Sequence, residues 1–560
     1  MDPIMIALIA LGLALVVMII VLLSRTASFP IDLEVEEQLD LDEVDGQAVA
    51  ERIGLAVQLR TISNHDPEKI NPLPFEGLRN LLSTLYPEVE RRLKREVING
   101  HALLYTWEGS DPKLDAVAFT AHQDVVPADE TSTSGWSYPP FAGQLAEGYV
   151  WGRGTQDCKG VLITLMEAVE HLLREGFTPE RTIYLAFGYD EEVSGVHGAR
   201  EIARTLRERG TRLAFLLDEG GAVITGSVPG VDVPVGLIGV SEKGHMTLKL
   251  RAHAAGGHAS APGEITSIGA LSLAIATLES NPFPQDLEMA EFMMSFLGSE
   301  LPFSQRMALA NPWLLGGTVK RRFAQNPASN AITRTTVAPT VIHAGSAENV
   351  LPAEAEALIN IRIIPGETIQ DVYQRVSDMI ADETIEVLPA HGDTLLSDND
   401  AWNPSPVSRV DSQPFELLTG LILATFPGAR VAPFMLNGAT DARYYTDICE
   451  NVYRFSPFFY TTEDVDRVHA ANERLSFANA GRAVAFYQEL MARVSRMSYT
   501  ELEEDAAQPD EAEEQPMSAT GRPERKPKGS KRDAKRKIED QAEALPEENE
   551  ELVVKPLKEE

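Results

Sequence analysis

The chain has 560 residues and a formal net charge of -35, from 84 acidic against 49 basic side chains. An acidic balance of this size argues against nucleic acid as a partner and carries no information about fold. Hydrophobic residues make up 44% of the sequence, enough for a large core and more than one domain, and two cysteines exclude a disulfide framework.

Residues 4–23 are apolar throughout except for Gly12, and as a helix they would span ~30 Å, one bilayer core. A cleaved signal peptide is the alternative. The amino terminus lacks a basic region, the run is long, and no small-x-small cleavage site follows, so the expectation is an uncleaved single-pass anchor over 1–25. Arg25 is the one nearby basic residue from which to read orientation, and the catalytic part is expected to be extracytoplasmic. The acidic stretch within 26–45 reads as a spacer.

From 46 to 240 helical and strand-like patterns alternate, which predicts a mainly parallel sheet with helices on both sides. Helices are predicted at 48–59 and 77–85, then a strand at 115–120. The apolar run stops in His122, with Asp124 two residues on and Pro127 closing the turn. A strand that ends in histidine places an imidazole at the sheet's carboxyl edge, where open α/β sheets bind ligands, and Asp124 is close enough to accept a hydrogen bond from it. Alone, such a histidine is more often a satisfied edge residue. A glycine-bounded loop, 152–160, then carries Asp157 and Cys158 and leads into an amphipathic helix at 160–175. Further apolar runs break at Asp190, Glu191 and Glu192 and again at Asp218 and Glu219, and His469 follows much later. Carboxylates and imidazoles concentrated where apolar runs end suit zinc, or less selectively manganese or cobalt.

The order and wording of these stops resemble the co-catalytic di-zinc aminoacylase and carboxypeptidase family, and within it the carboxypeptidase S and N-fatty-acyl-amino-acid synthase/hydrolase branch, over roughly 49–491. The resemblance implies two zinc ions per subunit. His122 and Glu219 would hold one, Glu192 and His469 the other, with Asp157 bridging, Asp124 orienting His122 and Glu191 as general base. Asp218 adjoins Glu219, and either residue fits the ligand position. The resemblance also implies a cis peptide after the bridging aspartate.

Near 241 the pattern changes to a small α+β unit: strands at 246–252, 332–343, 356–363 and 384–388 with helices at 267–278 and 369–381. By resemblance this is a lid that also dimerises, in which His258 reaches the partner subunit's site to stabilise an oxyanion while Asn349 and Arg362 contact substrate. Arg443 matches the arginine that pairs with a substrate carboxylate, a task suited to its always-charged fork. The segment 283–328 interrupts the lid with Pro, Met and aromatic residues, read as added helical packing ahead of a greasy wall for an acyl chain.

The expected architecture is therefore α/β. Its parts are an anchor (1–25), a linker (26–45), a catalytic domain in two pieces (46–240 and 391–498), a lid and dimerisation domain (241–390) and a charged tail (499–560) whose composition predicts disorder. The expected activity is zinc-dependent amide hydrolysis, releasing a C-terminal amino acid from a peptide or an N-acyl amino acid. The alternatives are an N-fatty-acyl amino acid hydrolase/synthase and an inactive membrane-anchored binding protein. The second is disfavoured because every expected ligand and the base are present.

Overall fold

The structure, a computed structural model, describes residues 2–31, 44–131, 135–390, 395 and 401–497. Most of the expected linker 26–45 and the whole of the expected tail 499–560 lie outside the described residues.

Strand Ala116–His122 is buried at every position, as a strand must be when parallel neighbours flank it and both its faces are covered. Val117, Phe119 and Ala121 belong to one buried cluster, while Ala116 and Ala118 belong to another. Each face of the sheet thus has its own apolar layer. Helices Lys159–Arg174, Phe477–Val494 and Gly46–Val57 pack together to cover the first face. Helix Ala199–Glu208 and the short helical turn Asp441–Tyr445 cover the second.

Across this ten-stranded sheet the order is Lys94–Ile98, Ala102–Trp107, Ile183–Gly188, Ala116–His122, Leu213–Asp218, Val452–Arg454, Val235–Glu242, Val223–Thr225 and Phe459–Thr461, with Arg430–Leu436 also pairing on Val235–Glu242. Ile183–Gly188, Ala116–His122 and Leu213–Asp218 are adjacent and parallel. Their carboxyl ends therefore lie side by side and deliver His122, Glu191–Glu192 and Asp218–Glu219 to one edge, the expected binding edge of such a sheet.

A second sheet is antiparallel, in the order Thr336–Ala344, Glu354–Ile363, Gly244–His253 and Ile385–Pro389. Burial alternates along Gly244–His253 and Glu354–Ile363, the signature of strands with one face on a core. That core is a separate cluster, in which Met246, Leu248, Ile359 and Ile361 meet Ala274 and Val372 of helices Ser267–Ser280 and Ile369–Ile380.

The 283–328 segment forms helices Glu288–Phe296, Phe303–Ala310, Pro312–Phe323 and Pro327–Ala331. Phe292, Met294, Phe296, Leu309 and Val319 join the first cluster of the catalytic sheet, not the lid's. The packing reading holds for these residues and fails for Trp313 and Leu314, which are exposed. The N-terminal apolar run is one helix, Pro3–Ala27, long and apolar enough to cross a membrane.

Candidate active site

Asp124 is fully buried just past the strand end and uses both carboxylate oxygens. Oδ1 accepts from the Glu191 amide at 3.2 Å, and Oδ2 from the Glu192 amide at 3.1 Å and from Ser63 Oγ at 2.7 Å. His122 Nδ1 lies 3.3 Å from Asp124 Oδ1 and 3.1 Å from the Asp124 carbonyl oxygen. The other ring nitrogen, Nε2, is 2.7 Å from Asp157 Oδ1. Asp157 Oδ2 in turn lies 3.0 Å from His469 Nε2, which is also 3.2 Å from Glu192 Oε2. One carboxylate thus presents one oxygen to each of two imidazoles. The Asp157–Cys158 peptide is cis, and His469 has φ of 62°, in the left-handed region that non-glycine residues seldom occupy.

Glu191 Oε2 sits 3.9 Å from His122 Nε2. Burial, together with the neighbouring carboxylates, holds the Glu191 and Glu219 carboxyls well above the usual range. Burial opposes the ionised form of Asp157 too, but the hydrogen bonds from His122 and His469 outweigh it and keep this carboxylate well below its ordinary value. The same contacts, with Asp157 and Glu192, raise His469 to about 10. Asp218 and Glu219, equivalent by sequence, separate in space. Asp218 is buried and accepts from the Ala442 amide at 2.8 Å, whereas Glu219 is close enough to feel Asp157 and His122.

A metal fits this donor set. His122, Asp157 and Glu192 each offer an atom within 4.8 Å of the others, and the buried Glu192 Oε1 has no hydrogen-bond partner. Acidic groups crowded in this way and lacking donors call for a cation, and mixed oxygen and imidazole ligands suit zinc.

Two arginines lie near the carboxylates. Arg443, from the turn Asp441–Tyr445, stacks 4.1 Å from the Trp402 ring and 4.6 Å from Tyr444, and donates to the Ser194 and Thr440 carbonyls. Arg362 and Arg443 are near enough that, after burial, Arg443 lowers the Arg362 pKa. The His245 ring lies 4.9 Å from that of Trp402, tilted by 43°, and burial plus both arginines push it down to about 4. His258 and Asn349 are not brought to this group. His258 lies on the exposed ladder Gly257–His258 with Val350–Leu351 and Asn349 immediately before it; His258 Nδ1 is 2.7 Å from Ser260 Oγ and the Asn349 carbonyl accepts from the Ala259 amide.

Sequence reasoning missed His245, Trp402 and Glu473. No motif marks the first two. Glu473 stands four residues after His469, and that spacing is its only signal. Fully buried, it accepts from Arg153 Nη1 at 2.6 Å and from the amides of Gly154 and Gln156, each at 2.9 Å, and Asp157 at 3.3 Å. Arg153 Nη2 then donates to the His469 carbonyl at 3.0 Å. Glu473→Ala should therefore cost about 3–5 kcal/mol, because it leaves Arg153 buried without its counter-charge, and should reduce bound metal. Thermal unfolding and metal analysis of the variant check this. Wild-type stability with full metal content would refute the role given to Glu473.

Residues 118–493 match the model for "Peptidase family M20/M25/M40". The chain is 37% identical to the N-fatty-acyl-amino acid synthase/hydrolase PM20D1 of Xenopus tropicalis over 487 residues, 85% of this chain and 93% of that one. It is 31% identical to carboxypeptidase S of Saccharomyces cerevisiae over 459 residues, 75% and 79% of the two chains. Its fold is similar to that of an M20 family metallo-carboxypeptidase, Sso-CP2 of Sulfolobus solfataricus, with a TM-score of 0.57 at 16% identity, over 80% of this chain and 99% of that one. The chain belongs to peptidase family M20/M25/M40 and is a metal-dependent hydrolase of amide bonds.

Proposed function

We propose that this enzyme releases an amino acid with a free carboxylate from a peptide or an N-acyl amino acid, using two zinc ions. The observation that carries the proposal is Asp157, whose two oxygens face His122 and His469 with Glu191 alongside. In this reading His122 and Glu219 would hold one zinc and Glu192 and His469 the other, with Asp157 available to both. Bound zinc would supply an acidified water and a polarised amide carbonyl. Asp124 fixes the His122 ring and, through the two amides it binds, the positions of Glu191 and Glu192. Glu191 takes the proton of the attacking water and returns it to the leaving nitrogen.

Arg443, stacked on Trp402, binds the substrate carboxylate together with Arg362, and the neutral His245 beside them adds no charge. Asn349 contacts substrate, and His258 stabilises the oxyanion in the other subunit of a homodimer, a role that fits its exposed position away from its own cluster. We assign 46–240 and 391–498 to the catalytic domain and 241–390 to the lid, supported by the lid's separate core. The N-terminal helix is an uncleaved anchor that keeps the catalytic domain on the extracytoplasmic side.

N-fatty-acyl amino acids are the second substrate reading, favoured by the higher identity and coverage of the match to the Xenopus tropicalis synthase/hydrolase. Turnover of a panel of dipeptides and N-acyl amino acids by the zinc-loaded full chain separates the two. No turnover of either class would overturn the proposal.

Glu191→Gln should lower kcat by about 10²–10⁴-fold with metal retained, whereas Glu192→Gln should lose metal as well. Equal metal content and equal activity in the two variants would contradict the division between base and ligand. Arg443→Ala should raise KM for substrates ending in a free carboxylate and leave C-terminally amidated analogues unaffected; equal effects on both would remove Arg443 from carboxylate recognition. His258→Ala and His469→Ala should each be inactive, and mixing them should restore part of the activity if each site draws on both subunits. No recovery after verified subunit exchange would mean that one chain builds the whole site.

A further inference from the structure

The N-terminal helix does not end as a free stalk. Its last turns lie against the helix Phe303–Ala310. Arg25 Nε donates to the Ala310 carbonyl at 2.9 Å, and Asn311 Nδ2 reaches Leu22 O at 3.4 Å and Thr26 Oγ1 at 3.3 Å. Thr26 and Asn311 are both buried by this contact. Just beyond it, the Ile31 amide donates to Ser295 O at 2.9 Å, and Pro30 sits so close to Gly298 that a Cβ there would be 2.9 Å from it. Leu22 belongs to the apolar run 4–23, which is only just long enough to cross a bilayer. The docking therefore begins inside the span, and Asn311 falls at the boundary between hydrocarbon and headgroups.

Around Asn311 the surface is apolar where a water-facing surface would be polar. Phe303, Trp313 and Leu314 are 52%, 56% and 48% exposed. Charge changes as well: residues 301–347 contain no Asp or Glu, in a chain with 84 of them, while Arg306, Lys320, Arg321 and Arg322 lie on the two helices. Tryptophan favours the headgroup level of a bilayer, and basic residues favour anionic lipid.

We propose that helices Phe303–Ala310 and Pro312–Phe323 form a collar seated in the membrane surface around the anchor. Phe303, Trp313 and Leu314 enter the headgroup region, and the basic residues lie beside anionic lipid. The proposal rests on the anchor reading above and extends it from a tether to a fixed seat, so that the catalytic domain is held against the leaflet.

The test uses the full chain in phosphatidylcholine/phosphatidylserine vesicles. Single variants Phe303→Cys, Trp313→Cys, Leu314→Cys and, as control, the exposed Leu73→Cys carry an environment-sensitive fluorophore. The native Cys158 and Cys449 are buried and do not compete for label in the folded protein. Flotation with the vesicles is read first, then quenching by lipids bearing a nitroxide near the headgroup. The expected result is about threefold or greater quenching at 303, 313 and 314 relative to position 73, as for groups at headgroup depth. Flotation with equal quenching at all four positions would overturn the collar and leave the anchor standing. A blue-shifted emission without lipid quenching would place a second copy of the chain on this surface and also overturn it. Loss of flotation would overturn the anchor and the collar together.

Discussion

Asp124 joins three pieces of chain that have no covalent reason to meet. Its carboxylate ties the loop after one strand, the Glu191–Glu192 turn after the next, and Ser63 from the amino-terminal part of the domain. Because the group is fully buried, these hydrogen bonds act where water cannot compete, and an unmade one would cost the full desolvation of a carboxyl oxygen. The angle of His122 and the placement of both glutamates follow from that one side chain. Glu473 does the same on the other side of the cluster, holding the glycine loop by three amides and one guanidinium. The cluster of carboxylates and imidazoles is thus suspended between two buried carboxylates, Asp124 and Glu473.

Much of this was legible in the sequence because strands that end in charge are conspicuous. His122, Glu191 and Glu219 each terminate or follow an apolar run, and parallel pairing aligns the ends. Element boundaries were legible where periodicity was unbroken, as in Lys159–Arg174 and Ile369–Ile380. They were missed where local chemistry overrode it. The helix expected from 77 begins at Pro72, because Asn71 caps it and a proline at the first turn starts a helix instead of breaking it. The strand expected from 332 begins at Thr336, because the preceding carbonyls of Ala331 and Arg334 are taken by Lys243.

What could not be read was whatever depends on partners far apart in the chain. Glu473 meets Arg153 across 320 positions, and Asn311 meets Thr26 across 285. Neither pair leaves a mark in local composition. The adjacent Asp218 and Glu219 were indistinguishable by type and spacing; only the fold shows that Asp218 is held by the Ala442 amide.

The place of strand Val452–Arg454, between Leu213–Asp218 and Val235–Glu242, bears on how the protein is made. Neighbouring strands of the amino-terminal half leave the ribosome with a gap in their middle, and the piece that fills it follows about 200 residues later, or about 10–40 s at ordinary rates of synthesis. The antiparallel sheet between them has its own core, and all of its strands lie within 244–389, so it can fold in that interval while the larger sheet waits with an open edge. Unpaired edges of this kind invite association with other chains. The nascent enzyme therefore depends on protection until strand Val452–Arg454 arrives.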